Sequence, residues 1–150
     1  MRILLITLLV LAQARTAADK WIGTWKLDRA KSHYQAGTVP KSRTLMFADE
    51  SGGLKASSDL LDDIGIVHIE FAGKYGGPDV PMKGGNPGPT ISIKRTDSYT
   101  FDTFQKSGGQ ITVTTHYVVS RDGKTLTATA NGVDANGSKY TNISVYEKEP

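Results

Sequence analysis

Three histidines, a short run of aspartates and many serines are the residues of this chain with the chemistry to catalyse or to bind metal. His33, His68 and His116 stand singly. None belongs to a His-x-x-x-His pair or another metal-ligand spacing. His68 and His116 alternate with apolar neighbours, which turns both towards solvent, and His33 falls in a turn after the first extended segment. Asp59, Asp62 and Asp63 cluster without the spaced oxygen ligands and central glycine of a calcium loop, so they read as a solvated turn. No serine sits in a Gly-x-Ser-x-Gly elbow. No glycine-rich loop precedes a helix, which a phosphate cradle requires. The chain has no cysteine, which excludes thiol catalysis, cysteine metal sites and a lipid-modified cysteine. No catalytic residue, metal site or cofactor is therefore expected, and the chain does not read as an enzyme.

The aromatic residues say more. Trp25, Phe71, Phe101, Tyr117 and Tyr146 lie in different extended segments, on the face that alternation turns inward. In a closed barrel that face is either a packed core or a cavity wall. Tyrosine and tryptophan suit a wall because each joins an apolar body to one polar group. Arg95 continues the face of Ile91 and Ile93. Pointed inward it demands a carboxylate or a wet cavity, since a lone buried charge is costly. At a strand end it reaches water instead. Trp25, Phe71, Arg95, Phe101, Tyr117 and Tyr146 are the candidate ligand-binding residues.

The elements that position them are strands. Turn signals recur about every ten residues, the spacing of an all-β sandwich or barrel. Trp21, Gly23, Trp25 and Leu27 share one face of the first strand, and Arg43, Leu45 and Phe47 share one of the second. Strands follow around Leu54 to Ser58, at Val67–Ile69–Phe71, at Ile91–Ile93–Arg95 and at Tyr99–Phe101–Thr103. Ile111, Val113, Thr115, Tyr117 and Val119 form the cleanest alternation. Thr125 to Ala130 and Lys139 to Lys148 complete a meander. Asp122-Gly123 and Asn136-Gly137 are expected to form tight type I′ hairpins. Helix is limited to single turns, one over Arg29–Ser32 capped by Asp28 and one over Leu60–Asp63 with Asp59 as its cap. The stretch from Gly73 to Pro89 carries six of the 16 glycines and four of the six prolines, which predicts a long loop. It is either a crossover or a wall of a cavity mouth.

The first 18 residues read as a secretory signal peptide. A basic start, Met1-Arg2, precedes an apolar run from Ile3 to Leu11 and small-residue cleavage sites at Ala12-Gln13-Ala14 or Thr16-Ala17-Ala18. The run is too short for a membrane span, so no transmembrane anchor is expected. Cleavage removes Arg2 and Arg15, which takes 18 basic residues to 16 against 15 acids and lowers the net charge from +3 to +1. A near-neutral surface exerts little pull on nucleic acid, so none is expected as a partner. The destination is the periplasm or the exterior, and residues 19–150 form one domain. Asn136-Gly137-Ser138 and Asn142-Ile143-Ser144 match the glycosylation pattern.

Trp21-Ile22-Gly23-Thr24-Trp25-Lys26-Leu27 resembles the first strand of the fatty-acid-binding proteins, and Val145-Tyr146-Glu147-Lys148 resembles their last. These proteins and the lipocalins, both calycins, share the Gly-x-Trp start. Most of the mature chain is similar to small exported bacterial lipocalin-like proteins through Ala30-Lys31-Ser32, Pro40-Lys41-Ser42, Lys94-Arg95-Thr96-Asp97 and Val119 to Thr127. The resemblance implies an antiparallel, mostly up-and-down β-barrel of about eight to ten strands with little helix, closed at one end by Trp25. It departs at two places. Only Asp28 to Lys41 separate the first two strands, too few for the helical lid of the fatty-acid-binding proteins. Their Arg-x-Tyr carboxylate clamp reads Ser144-Val145-Tyr146 here. The expected function is to hold a small apolar or amphipathic ligand inside the barrel. The alternative is a packed barrel that binds another protein, as an inhibitor or envelope component, through its surface and the loop 73–89.

Overall fold

The computed structural model describes residues 17–150. Residues 1–16, most of the expected signal peptide, lie outside the described residues. The strands are β1 (Gly23–Tyr34), β2 (Ser42–Glu50), β3 (Gly53–Leu61), β4 (Ile66–Lys74), β5 (Val80–Pro81), β6 (Thr90–Arg95), β7 (Thr100–Ser107), β8 (Gln110–Val119), β9 (Thr125–Val133) and β10 (Lys139–Lys148). They form one antiparallel sheet in the order β4-β3-β2-β1-β10-β9-β8-β7-β6-β5. The sheet curls into a nearly closed barrel. Its edges, β4 and β5–β6, meet at a seam where Glu70 and Lys83 exchange both backbone hydrogen bonds (2.9 and 2.8 Å) and Gly76 N–H donates to the Ile93 carbonyl (2.8 Å). The expected barrel is present, and there is no helix among the described residues. No helix there is long and apolar enough to cross a membrane.

Alternation sets the interior. Paired residues share a face in an antiparallel ladder, so Leu45↔Ser58, Ala56↔Phe71, Phe101↔Tyr117 and Leu27↔Tyr146 all point inward. One end is packed solid. Trp21, Trp25, Leu54, Phe101 and Leu126 are fully buried there. Trp25 Nε1–H donates to the Trp21 carbonyl (2.7 Å), and the Trp21 ring lies 4.8 Å from that of Phe101. Lys148 caps this end, its ammonium 5.0 Å from the Trp25 ring and donating to the Ile22 carbonyl at 2.8 Å.

Four local expectations give way to the ladder. Asp28 does accept from Lys31 N–H (3.2 Å), but no helical turn forms. Residues 29–32 instead bulge out of β1, because Ser32 Oγ accepts from Val145 N–H (3.0 Å) and ties the segment to β10. Near Leu60–Asp63 the chain makes a hairpin. Asp62, not Asp59, accepts the Ile64 and Gly65 amides (2.8 and 3.1 Å). Ile111 turns outward and is half exposed, because a register shift near Thr112 reverses the alternation of β8. Asp122-Gly123 and Asn136-Gly137 do not make type I′ turns. Type I′ needs two successive positive φ angles, and no non-glycine residue described has one. Each hairpin uses a longer loop, with the Gly137 amide closing onto the Asp134 carbonyl (3.0 Å) and the Gly123 amide onto that of Ser120 (2.9 Å).

The stretch Gly73–Pro89 is part of the wall. It contains the end of β4, all of β5 and the seam bridges. Gly84 has a φ of +82°, and a side chain there would collide with the His68 carbonyl, so the strap lies flush against β4 only as glycine. Pro81 falls on the edge strand, where its missing N–H is tolerated.

Candidate functional site

The barrel is not packed throughout. Above the tryptophan end, the inner face changes from large apolar side chains to Ser58, Thr103, Thr115 and Ser144. Small hydroxyl side chains do not fill the bore. Two spaces remain, and Arg43, Thr115 and Tyr117 line both. The first, about 140 Å³, is mainly apolar, with Leu45, Phe47, Ile69, Phe71, Met82 and Ile91 in its wall. The second, about 170 Å³, is polar and includes Tyr34, Asn142, Ser144 and Tyr146. Tyr140 also lines it. The Tyr140 ring folds over Gly132, where an added Cβ would stand 2.5 Å from the phenol oxygen.

Arg43 stands between the two spaces. It enters from β2 on the face shared with Leu45 and Phe47. Its Nε–H donates to Ser58 Oγ at 2.9 Å. Tyr146, Tyr117 and Tyr34 surround the guanidinium. Burial is the largest influence and opposes its charge; its pKa still lies above the ordinary guanidinium value, chiefly through the negative charge that Tyr146 and Tyr117 take on only at high pH. Burial pushes Tyr117 up to about 12, and it also raises Tyr146 against the opposing pull of Arg43. Tyr117 and Tyr146 therefore stay protonated at neutral pH and cannot balance the arginine. Tyr34 and Ser144 share a hydrogen bond of 2.7 Å, which fixes one side of the ring of hydroxyls.

The six sequence candidates separate into three groups. Phe71, Tyr117 and Tyr146 line the spaces. Trp25 and Phe101 are fully buried beneath them, and Phe101 stacks on Tyr117 with ring centroids 4.4 Å apart and planes within 5°. Arg95 lies outside the bore. At the end of β6 its Nε donates to both Asp19 oxygens (3.1 and 3.2 Å) and its Nη2 to Oδ1 (2.8 Å). A carboxylate does meet it, but from the chain's own N-terminal lead. The interior cation is Arg43, whose signal in the sequence is its alternation with Leu45 and Phe47. Where the fatty-acid-binding pattern puts arginine two residues before the last-strand tyrosine, Ser144 stands, and β2 supplies the charge.

The histidines are on the outer face. His68 Nδ1 meets Asp59 at 2.5 Å, and His116 Nδ1 meets Asp102 at 2.6 Å, each across a strand pair. The Asp59 hydrogen bond, aided by Glu70, raises the His68 pKa above its ordinary value. His33 belongs to β1 and pairs with Ile143 rather than lying in a turn. No group of three potential ligands close enough for a metal occurs among the described residues. Asn142 is committed to structure: its Oδ1 accepts the Gln35 and Ala36 amides (2.9 and 3.1 Å) and its Nδ2 donates to the Ala36 carbonyl (2.9 Å).

The sequence matches no protein-family model, and no curated protein matches it. The barrel is compatible with a calycin-like architecture on its geometry alone.

Proposed function

We propose that this protein is a lipocalin-like container for a small amphipathic molecule, exported by a cleaved signal peptide and acting by binding rather than catalysis. The observation that carries this reading is the divided bore. A solid apolar end gives way to two adjoining spaces, one apolar and one polar, with Arg43, Thr115 and Tyr117 common to both. Pockets that hold small molecules combine an apolar wall with a few fixed polar groups in this way. The spaces are small, so the ligand is small.

The test is to extract protein produced in its own host and examine the extract by mass spectrometry, then to titrate the emptied protein with an environment-sensitive apolar dye. A co-purifying molecule or saturable dye binding is expected. An empty extract together with no dye binding rejects the container.

A second reading, a barrel that binds another protein, draws on Ile64 and Ile66. They stand 92% and 77% exposed in the β3–β4 turn and at the first position of β4 beside it. The strap 73–89 is built into the wall, so under this reading the hairpin tip is the better handle. Replacing both isoleucines by serine should then abolish capture of the partner and leave dye binding unchanged.

A further inference from the structure

Arg43 narrows the chemistry of the ligand, an inference that rests on the container reading above. A guanidinium stays charged at any ordinary pH and offers five N–H donors in a planar fork. The ion pairs of the described residues all lie elsewhere, joining Lys31, Lys41, His68, Arg95, Lys106 and His116 to carboxylates. Among the described residues, no acidic side chain lines either space. Among the described residues no buried side-chain nitrogen or oxygen lacks a partner, so the part of the fork not bonded to Ser58 meets a phenol or opens onto the spaces. The phenols of Tyr117 and Tyr146, kept protonated by burial, surround the charge without cancelling it. A barrel that only needed packing would carry an apolar residue here, because even a partly buried charge without an acidic partner opposes folding.

We propose that the ligand is a small carboxylic acid, bound as its anion on Arg43, with a single ring or a short alkyl chain in the apolar space. The charge count selects a monoanion. Among the described residues Arg43 is the one cation lining the two spaces, so a dianionic phosphate would leave a negative charge in the bore. The planar fork matches a carboxylate through two parallel hydrogen bonds. Hydroxyls of Tyr34, Tyr117 and Tyr146 can turn to donate to the same oxygens. Size sets the other end. An apolar cavity of about 150 Å³ accepts benzene, and the space bounded by Leu45, Phe47, Ile69 and Phe71 is about 140 Å³. A ring fits there, whereas a long fatty chain does not.

The experiment compares matched acids and alcohols by calorimetric titration of the full mature chain. Benzoate and octanoate are set against benzyl alcohol and 1-octanol, with palmitate as the oversized acid. At least tenfold tighter binding of each small acid than of its alcohol is expected, with no palmitate binding. Arg43→Met should erase the acid preference, so that each acid binds no more tightly than its alcohol. Arg43→Lys, which keeps the charge but loses the fork, should retain part of the preference, and it decides the matter if Arg43→Met does not fold. Equal binding of acids and alcohols, or an acid preference that survives loss of Arg43, overturns the carboxylate assignment and leaves the container intact. Palmitate binding as tightly as octanoate overturns the size assignment. Failure of every compound and of the apolar dye removes the container itself.

Discussion

Trp25 holds the closed end by three means at once: an apolar ring with no exposure, a hydrogen bond to Trp21, and the Lys148 ammonium over its face. Truncation leaves a cavity that rigid neighbouring strands cannot fill. Trp25→Ala should therefore cost about 3–5 kcal/mol in denaturant unfolding, and unfolding like the parent would refute the plug. Arg43 works in the opposite sense. Arg43→Met removes an unbalanced interior charge, so the ligand-free variant should melt at or above the parent temperature, as differential scanning calorimetry would show. Tyr117 gives a pH signature. Its pKa rises from 10 in the unfolded chain to about 12 in the barrel, so the neutral phenol is the form that the fold favours. That stabilisation is complete below pH 10 and is lost as pH climbs through about 12. Between pH 9 and 11 the parent should lose more thermal stability than Tyr117→Phe. The inward face of Arg43 is legible from its alternation with Leu45 and Phe47, but its surroundings are not. Tyr34 and Ser144, which meet beside it, are 110 residues apart. Arg95 misleads for a related reason: its partner Asp19 lies 76 residues upstream and draws it to the outside of the closed end.

Strand β4 and the strap behind it show what an element contributes beyond its residues. A barrel that does not close through a full ladder must cover two edges. Here a Gly/Pro-rich segment does so with a few backbone hydrogen bonds and the ion pair of Lys106 with Asp79 (2.9 Å). Its composition correctly marks an absence of long strand, yet composition alone cannot distinguish a loose crossover from a strap lying in a seam. The difference depends on the close approach of Gly84 to β4. Gly84→Ala should cost more than about 1 kcal/mol, since alanine strains at a positive φ. It should also speed hydrogen exchange at the Glu70 and Lys83 amides at least tenfold while the β1–β10 amides stay protected. Uniform loss of protection would contradict a locally anchored strap. The β1 bulge teaches a similar lesson. Asp28 offers the start of a turn, but β10 offers Ser32 a ladder partner, and the long-range partner prevails.

At the scale of the whole molecule, the period-two patterning made the barrel legible, because it specifies which residues share a face whatever the partners are. Strand order was legible only where short hairpins join neighbours. The pairing of β1 with β10 joins the two ends of the domain, so it places the sheet's edges within the chain rather than at its termini. Lys20 and Lys148 consequently stand together, with Lys148 Nζ 3.5 Å from the Lys20 carbonyl. Circular permutation should exploit this arrangement. A short linker from Pro150 to Asp19, with new termini cut at Gly77–Pro78, gives a chain that runs β5 through β10 and then β1 through β4, each strand beside its predecessor. Such a permutant would fold as an unbroken meander with its free ends at the seam, turning the least secured line of the barrel into its natural point of entry for engineering.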